Sequence, residues 1–307
     1  MRVIIAGLGV QGKKRKEICG AEFVGYVDPY NDGAYYKNIK DVPLKDYDAV
    51  LACIPDEPKI EILKYCLENG KHVLVEKPLW AASEKSFKEL KDIANKNNAV
   101  CYTAYNHRFE PHFARMAEVI KSGELGKIYS CRMFYGNGTA RLVRDSAWRD
   151  KGGGVLPDLG SHLIDTCYFW FGEIARTAKW EIVSANRFEN KSPDHVVAIM
   201  KTPDFRIEIE MTLLMWRNHF TCDILAEKGS AHITSLCKWG PTAFIKRKRV
   251  LPSGRPEETF DELVQPDPTW KLEYEYFKKL IQNKHKTDLS WDHDLMQILS
   301  GLEKKIT

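Results

Sequence analysis

The chain has 307 residues, 44% of them hydrophobic and 29% charged, with a formal net charge of +4. That length suggests about two domains with material for large cores, and so small a net charge gives no ground to expect nucleic acid or a membrane surface as partner. Eight cysteines are scattered without a CxxC pair, several in apolar runs such as Ala49 to Ile54, so buried free thiols are expected in place of disulfides or zinc ligands.

The apolar run Val3 to Ala6 is too short for a signal peptide and no stretch approaches a membrane span, which leaves a cytoplasmic enzyme or binding protein as the expectation. This short strand enters Gly7-Leu8-Gly9-Val10-Gln11-Gly12, and Lys13 to Cys19 reads as a helix stopped by Gly20. A second strand, Phe23 to Val27, ends at Asp28, 21 residues after Gly7. Strand, glycine turn, helix, strand and acid together match a dinucleotide site. The glycines allow a tight turn and close approach of a pyrophosphate to a helix N-terminus, and the acid accepts hydrogen bonds from the ribose. Asp28 favours NAD over NADP, since a 2′-phosphate would meet a carboxylate. The run Lys13-Lys14-Arg15-Lys16 could offer that phosphate a cation, which keeps NADP as the alternative, but a solvated helix face is the preferred reading.

The alternation goes on. Tyr47 to Ile54 reads as a buried strand ending at Pro55, and Lys59 to Asn69 as a helix closed by Gly70. His72 to Glu76 is a strand running into Lys77-Pro78. Ser83 to Asn95 is a helix with Ser83 as N-cap, and Val100 to Ala104 a further strand. Such alternation implies a doubly wound parallel sheet, with ligands bound outside the carboxyl ends of its strands. Gly9, Asp28, Pro55 and Lys77 all fall at such ends and should surround one crevice.

Pro111 to Ser122 reads as a helix and Ile128 to Tyr135 as a strand. A polar segment follows with Arg141, Arg144, Trp148 and Arg149. Those side chains could grip a phosphate, a carboxylate or a sugar ring; equally, they could form a surface loop with Asp145 and Asp150 as local partners. The segment runs into Gly152-Gly153-Gly154 and a helix over Asp158 to Phe171, on which 158, 162 and 165 share a face. Asp158 and His162 one turn apart could hold a hydroxyl and take its proton.

Downstream, 180–185, 195–201, 206–214, 219–226, 230–235 and 242–250 read as strands. No helices separate them, so this sheet should be mainly antiparallel. Lys246 to Arg249 fits a solvated edge or hairpin. Trp270 to Gln282 and Trp291 to Lys305 read as closing helices. Asp292-His293-Asp294 cannot converge on one metal ion, because consecutive helical side chains point 100° apart, and no metal is expected.

Taken together, Gly7-Leu-Gly9-Val-Gln-Gly12, Glu76-Lys77-Pro78 and Gly152-Gly-Gly…Asp158…His162…Asp165 resemble the glucose-fructose oxidoreductase/inositol dehydrogenase (Gfo/Idh/MocA) family. Tyr105-Asn106-His107-Arg108-Phe109 also resembles a family segment. The resemblance implies an N-terminal Rossmann domain, 1–105, and a C-terminal α/β domain, 106–307, with a large, mainly antiparallel open-faced sheet through which members form homodimers or homotetramers. It implies pyridine-nucleotide-dependent oxidation or reduction of a secondary carbinol in a sugar, cyclitol or nucleotide sugar. Position by position, Lys77 would hydrogen-bond the reacting oxygen, Asp158 position substrate and His162 act as general acid/base. Gly7, Gly9, Val10, Gln11, Gly12, Asp28, Ile54, Pro55, Glu76 and Lys77 would line the cofactor, and Asn106, Arg144, Trp148, Asp158 and His162 the substrate. Asp56 and Lys59 depart from the family pattern, in which an asparagine follows the proline and a histidine lies nearby. Two other readings stay open: a tightly held NAD used transiently with no net redox change, and a non-catalytic NAD(H)-binding sensor or scaffold.

Overall fold

The computed structural model describes residues 1–307 except Ala82, Trp148 and Thr307. Its contacts divide the chain into two compact units, one of Met1–Asn106 with Trp270–Met296 and one of His107–Thr269 with Gln297–Thr307.

The first unit is built on β1 (Val3–Ala6), α1 (Val10–Cys19), β2 (Phe23–Val27), β3 (Ala49–Ala52), α2 (Asp56–Glu68), β4 (His72–Glu76), α3 (Glu84–Lys96) and β5 (Cys101–Ala104). All its strand pairs are parallel and the sheet order is β2-β1-β3-β4-β5. β1 and β3 are buried along their whole length, because a parallel sheet is covered on both faces. Alternate residues go to opposite sides. Ile4, Val50, Val73 and Val75 pack with Leu63 and Leu67 of α2 and Phe87 and Leu90 of α3. Val3, Ile5, Leu51 and Leu74 pack instead with Tyr274, Phe277 and Leu280.

Those last three residues lie on the helix Thr269–Gln282 and correct the division read from the sequence. A boundary after residue 105 leaves both closing helices with the second half. The structure assigns 270–296 to the first unit. The physical reason is cover: α2 and α3 shield one face of the sheet, and α1 alone is too short and too polar to shield the other.

The second unit begins with α4 (Pro111–Ser122), β6 (Ile128–Gly136) and α5 (Ala140–Arg144), followed by a π-helical turn, Leu156–Gly160, α6 (Ser161–Phe171) and α7 (Glu173–Thr177). Then come β7 (Trp180–Asn186), β8 (His195–Lys201), β9 (Arg206–Thr212), β10 (His219–Ala226), β11 (Gly229–Thr234), β12 (Thr242–Lys248) and β13 (Glu257–Leu263), and the chain closes with α8 (Thr269–Gln282) and α9 (Ser290–Glu303). The eight-stranded sheet has the order β13-β12-β11-β10-β6-β9-β8-β7. Only β6 and β9 run parallel, so the mainly antiparallel sheet expected from the sequence is present. Its inner face carries Cys131, Met133, Tyr135, Ile207, Ile209, Phe220, Cys222 and Ile224, all buried. α4 and α6 lie on that face, with Phe113 4.9 Å from Phe220 and 5.3 Å from Trp170.

β13 was not expected. Glu-Glu-Thr-Phe-Asp-Glu-Leu has no apolar alternation to announce a strand. It forms because its acids face the basic residues of β12, with Glu258 2.6 Å from Arg247. The edge of the sheet is therefore β13, and Lys246 to Lys248 lie one strand in from it. All eight cysteines are free; Cys53 is half-buried and the others are buried. Among the described residues no helix is long and apolar enough to cross a membrane.

Phe277→Ala should remove about 3–5 kcal/mol of stability, the usual cost of truncating a fully buried phenylalanine. Urea unfolding followed by circular dichroism measures it, and a loss under about 1 kcal/mol would mean that α8 contributes little to this core.

Candidate functional site

In the first unit the strand order reverses beside β1, which has β2 on one side and β3 on the other. In such sheets that is where a ligand crevice opens. The glycine turn sits there. Gly12 is required by close approach, since a Cβ on it would lie 2.0 Å from the Gly7 carbonyl oxygen. Gly9 is different. A Cβ there would meet nothing within 4 Å, so the surface beside the turn has room for a ligand. Gly9 is also the N-cap of α1, no side chain caps this helix, and its first turn holds no acid. Its N–H groups therefore suit a pyrophosphate. Val10 and Gln11 are exposed in that first turn.

Asp28, at the end of β2, accepts hydrogen bonds from the backbone N–H groups of Leu8 (3.1 Å) and Tyr30 (3.0 Å). It thus anchors the glycine turn as well as standing where a ribose would be read. Ile54 and Pro55 follow β3, with Pro55 as N-cap of α2; Ile54 Cγ2 is 3.2 Å from where a Gly7 Cβ would be. The two departures from the family pattern answer each other, as the buried Lys59 ammonium pairs with Asp56 one turn away.

Arg15 corrects the reading of Lys13 to Lys16 as a solvated face. Lys13, Lys14 and Lys16 are exposed, but Arg15 is fully buried. Its guanidinium lies 2.8 Å from Glu76 and 2.7 Å from Glu273 of α8, and 4.3 Å from the Trp270 ring. The Glu76 carboxylate is thereby engaged with a protein cation. Lys77, directly after β4, is half-buried and joined to Pro78 by a cis peptide bond.

In the second unit the segment 158–171 is not one α-helix. Asp158 lies in the π-helical turn, and α6 starts at Ser161. Pro157, which has no N–H to donate, disturbs regular α spacing at that point. The 3.6-residue argument thus holds for His162 and Asp165 but not for Asp158. Gly154 precedes the turn with φ +55°, and a Cβ there would lie 2.1 Å from the Pro193 carbonyl oxygen. Pro193 belongs to a loop held by buried carboxylates. Asp150 accepts from Ser192 N–H (2.7 Å), Ser192 Oγ (2.8 Å) and Lys191 N–H (3.2 Å).

The half-buried His162 ring stacks on His107, centroids 4.0 Å apart and planes 18° apart. Stacking fixes the plane in which its nitrogens lie. Tyr135, the last inward side chain of β6, has its ring 5.5 Å from His107 and 6.2 Å from His162. Lys238 Nζ donates to Tyr135 Oη at 3.1 Å and lies 4.4 Å from the Trp239 ring centre. Burial pushes the Tyr135 phenol well above its ordinary value, with Asp158, Asp267 and Glu110 adding to the shift. Although much of the Lys238 side chain is exposed, crowding around its ammonium lowers its pKa, against the pull of Asp267, Glu110 and Asp158. Glu110 is buried, and this raises its pKa despite the hydrogen bond it accepts from Cys237 N–H at 3.0 Å.

Other predicted residues have separate places. Asp165, almost wholly buried, is held by Arg108 through two hydrogen bonds, one of 3.0 Å. Asn106 is buried at the start of a 3-10 turn, Asn106–Phe109. Arg144 is exposed and pairs with Asp145 at 3.3 Å; Arg149 lies 3.9 Å from the Asp158 carboxylate. Asp150 serves backbone amides and a serine hydroxyl, so only Asp145 acts as the local arginine partner expected. Trp148 lies outside the described residues. Sequence reasoning missed Tyr135, Lys238 and Trp239. The inward alternation of β6 could have singled out Tyr135; the two residues of the Cys237–Trp239 turn carry no local motif.

Residues 2–105 match the profile of an oxidoreductase family with an NAD-binding Rossmann fold, and residues 113–232 that of the GFO/IDH/MocA C-terminal domain. The chain belongs to the GFO/IDH/MocA family. Its first unit accordingly carries an NAD-binding Rossmann domain, and the open turn at Gly9 and the uncapped start of α1 fit that cofactor. An uncharacterised oxidoreductase of Schizosaccharomyces pombe is 34% identical over 128 residues, 41% of this chain and 34% of that protein. The scyllo-inositol 2-dehydrogenase (NADP(+)) of Bacillus subtilis is 31% identical over 128 residues, 41% of this chain and 35% of that protein. These alignments span about a third of the relatives' length. A levoglucosan dehydrogenase in complex with NADH has the same fold, with a TM-score of 0.78 and 20% identity over 100% of this chain and 95% of the other.

Gly154→Ala should destabilise the protein by more than the ~1–2 kcal/mol that left-handed backbone costs a non-glycine residue, because the new methyl also meets Pro193; an unchanged melting temperature would contradict this. Glu110 has its folded pKa above the ordinary 4.5, so the native state binds more protons than the unfolded one just above that value. Stability should therefore fall as pH rises from about 4.5 through the raised folded pKa. Glu110→Gln should flatten that part of a stability–pH curve, and an identical slope in both proteins would refute the assignment.

Proposed function

We propose that this protein is a dehydrogenase or reductase that transfers a hydride between NAD and a secondary carbinol or keto carbon of a sugar, a cyclitol or a nucleotide sugar. The observation that carries the reading is the His162 imidazole, held in a fixed plane against His107 in a chain whose other unit is an NAD-binding Rossmann domain.

In the oxidative direction His162 accepts the hydroxyl proton as general base. Asp158, at the π-helical turn, accepts a hydrogen bond from that hydroxyl or its neighbour and so orients the carbinol. The Lys77 ammonium stabilises the developing alkoxide electrostatically. NAD held at the glycine turn would supply the hydride acceptor needed to turn the carbinol into a carbonyl. In the reductive direction His162 returns the proton. The joint action of Lys77 with Asp158 and His162 is supported by the order of the three family motifs, together with the chemistry of each residue. Among the cofactor contacts, Asp28 favours NAD over NADP, because a 2′-phosphate would be repelled by its carboxylate. Self-association as a homodimer or homotetramer would use the outer face of the eight-stranded sheet, where Arg132, Asp223 and Arg247 alternate with the buried inner set. Arg144 and Trp148 remain proposed contacts to the substrate.

Fluorescence titration with NADH and NADPH in parallel tests the cofactor assignment, with saturable binding and tighter affinity for NADH expected. Once a sugar or cyclitol panel has given a substrate, His162→Ala and Lys77→Ala should each lower turnover by about 10²–10⁴-fold. Near-full activity in both variants would overturn the roles assigned to them.

A further inference from the structure

We infer that the substrate carries an anionic group, a carboxylate or a phosphate, and that Arg217 and Lys238 bind it. The inference rests on the dehydrogenase reading only for the reacting end of the molecule; the anion site stands on its own geometry.

A cavity of about 300 Å³ opens at one end of the second unit's sheet, lined in part by Arg217, Asn218, His219, Ser235 and Trp239. Trp239 links it to the proposed catalytic histidine. Its ring is 5.5 Å from Tyr135, and Tyr135 is 6.2 Å from His162. Cavity and histidine therefore adjoin the same aromatic cluster.

Two cations flank Trp239, and among the described residues neither has a carboxylate within 4.0 Å. The Arg217 guanidinium makes one weak contact, 3.5 Å to the Trp239 carbonyl oxygen. The Lys238 ammonium donates to Tyr135 Oη and lies over the Trp239 ring. Arg15, Arg108, Arg115, Arg132 and Arg247 reach carboxylates, whereas Arg187 and Arg249, like Arg217, reach backbone carbonyl oxygens; of these three, Arg217 lines the cavity. Crowding disfavours the charged form of Lys238, and an oxyanion from outside would restore it. The planar fork of Arg217 matches a carboxylate or a phosphate in two hydrogen bonds, and Asn218 lines the same cavity. A neutral polyol would leave the Arg217 guanidinium with no charged partner. Ser235 in the cavity wall holds φ +66°, an uncommon conformation for a non-glycine residue and one that collects at ligand sites.

The test uses the full-length protein loaded with the nucleotide it prefers. D-glucuronate, D-gluconate and D-glucose 6-phosphate are compared with D-glucose and myo-inositol, for oxidation by absorbance of reduced nucleotide and for binding by calorimetry. At least one acid should be oxidised with a kcat/KM about tenfold or more above its neutral counterpart. Arg217→Gln should raise that acid's KM by about 10- to 100-fold with little change in kcat, the scale of one charge-assisted hydrogen bond, and the preference for the acid should collapse. Lys238→Met should act in the same direction. Carboxylates active and the phosphate inert would assign the site to sugar acids, and the reverse to sugar phosphates. A neutral sugar oxidised as well as or better than every acid would overturn the inference and leave the dehydrogenase reading intact. If no compound is oxidised although nucleotide binds, the dehydrogenase reading is what fails. Calorimetry then decides the anion site: acid binding weakened by Arg217→Gln upholds it, and no acid binding overturns it.

Discussion

The position of the Glu76-Lys77-Pro78 segment depends on a cation that never reaches water. Arg15 of α1 sits between Glu76 at the end of β4 and Glu273 of α8, with its guanidinium against Trp270. Burying a guanidinium is expensive, and the cost is offset only while both carboxylates stay in place; losing one partner of such a pair typically costs about 3–5 kcal/mol. Three pieces of chain distant in sequence are thus held to one geometry. Lys77 directly follows one of them. Its place therefore rests on charge pairing inside the unit as well as on the backbone turn at Pro78.

In the second unit the comparable constraint is steric and aromatic. A close approach at Gly154 and a π-helical turn at Leu156–Gly160 set where α6 begins, and His107 sets the plane of the His162 ring. Tyr135 reaches the same cluster from the sheet. The regular alternation of β6 delivers it there, since the inward positions Cys131 and Met133 are the core and the next inward position is the site. Sheet and helix thus meet at a core residue that carries a hydroxyl.

Much of this was legible in the sequence, for physical reasons that can be named. The parallel sheet was readable because strands buried on both faces give short continuous apolar runs, and the glycine turn because close approach tolerates no other residue at Gly12. α4 was placed at its observed bounds, Pro111–Ser122, by proline at its start, an apolar stripe and glycine after its end. Three things were hidden. Arg15 looked solvated because its partners come from elsewhere in the chain and a run of cations gives no sign of which one turns inward. β13 was hidden because cross-strand charge pairing, unlike hydrophobic alternation, leaves no periodic trace in one strand alone. The π-helical turn was hidden because a one-residue change in helical pitch alters no residue type. At the candidate site, Asp158, His162 and Asp165 stood out as a motif, yet Asp165 proves to be committed to Arg108, and Tyr135 and Lys238 enter only through tertiary structure.

Because Tyr274, Phe277 and Leu280 complete the core around Val3, Ile5 and Leu51, the nucleotide-binding unit is discontinuous in the chain, with residues 107–269 between its two parts. Synthesis proceeds from the N-terminus, so the first hundred residues leave the ribosome long before the helix that covers one face of their sheet. For most of translation that face has no native partner, and such transiently exposed apolar surface is what chaperones bind. The second unit can assemble its eight-stranded sheet during the same interval. The nucleotide-binding unit is thus begun first, yet it is completed only after every strand of the other unit's sheet has been made.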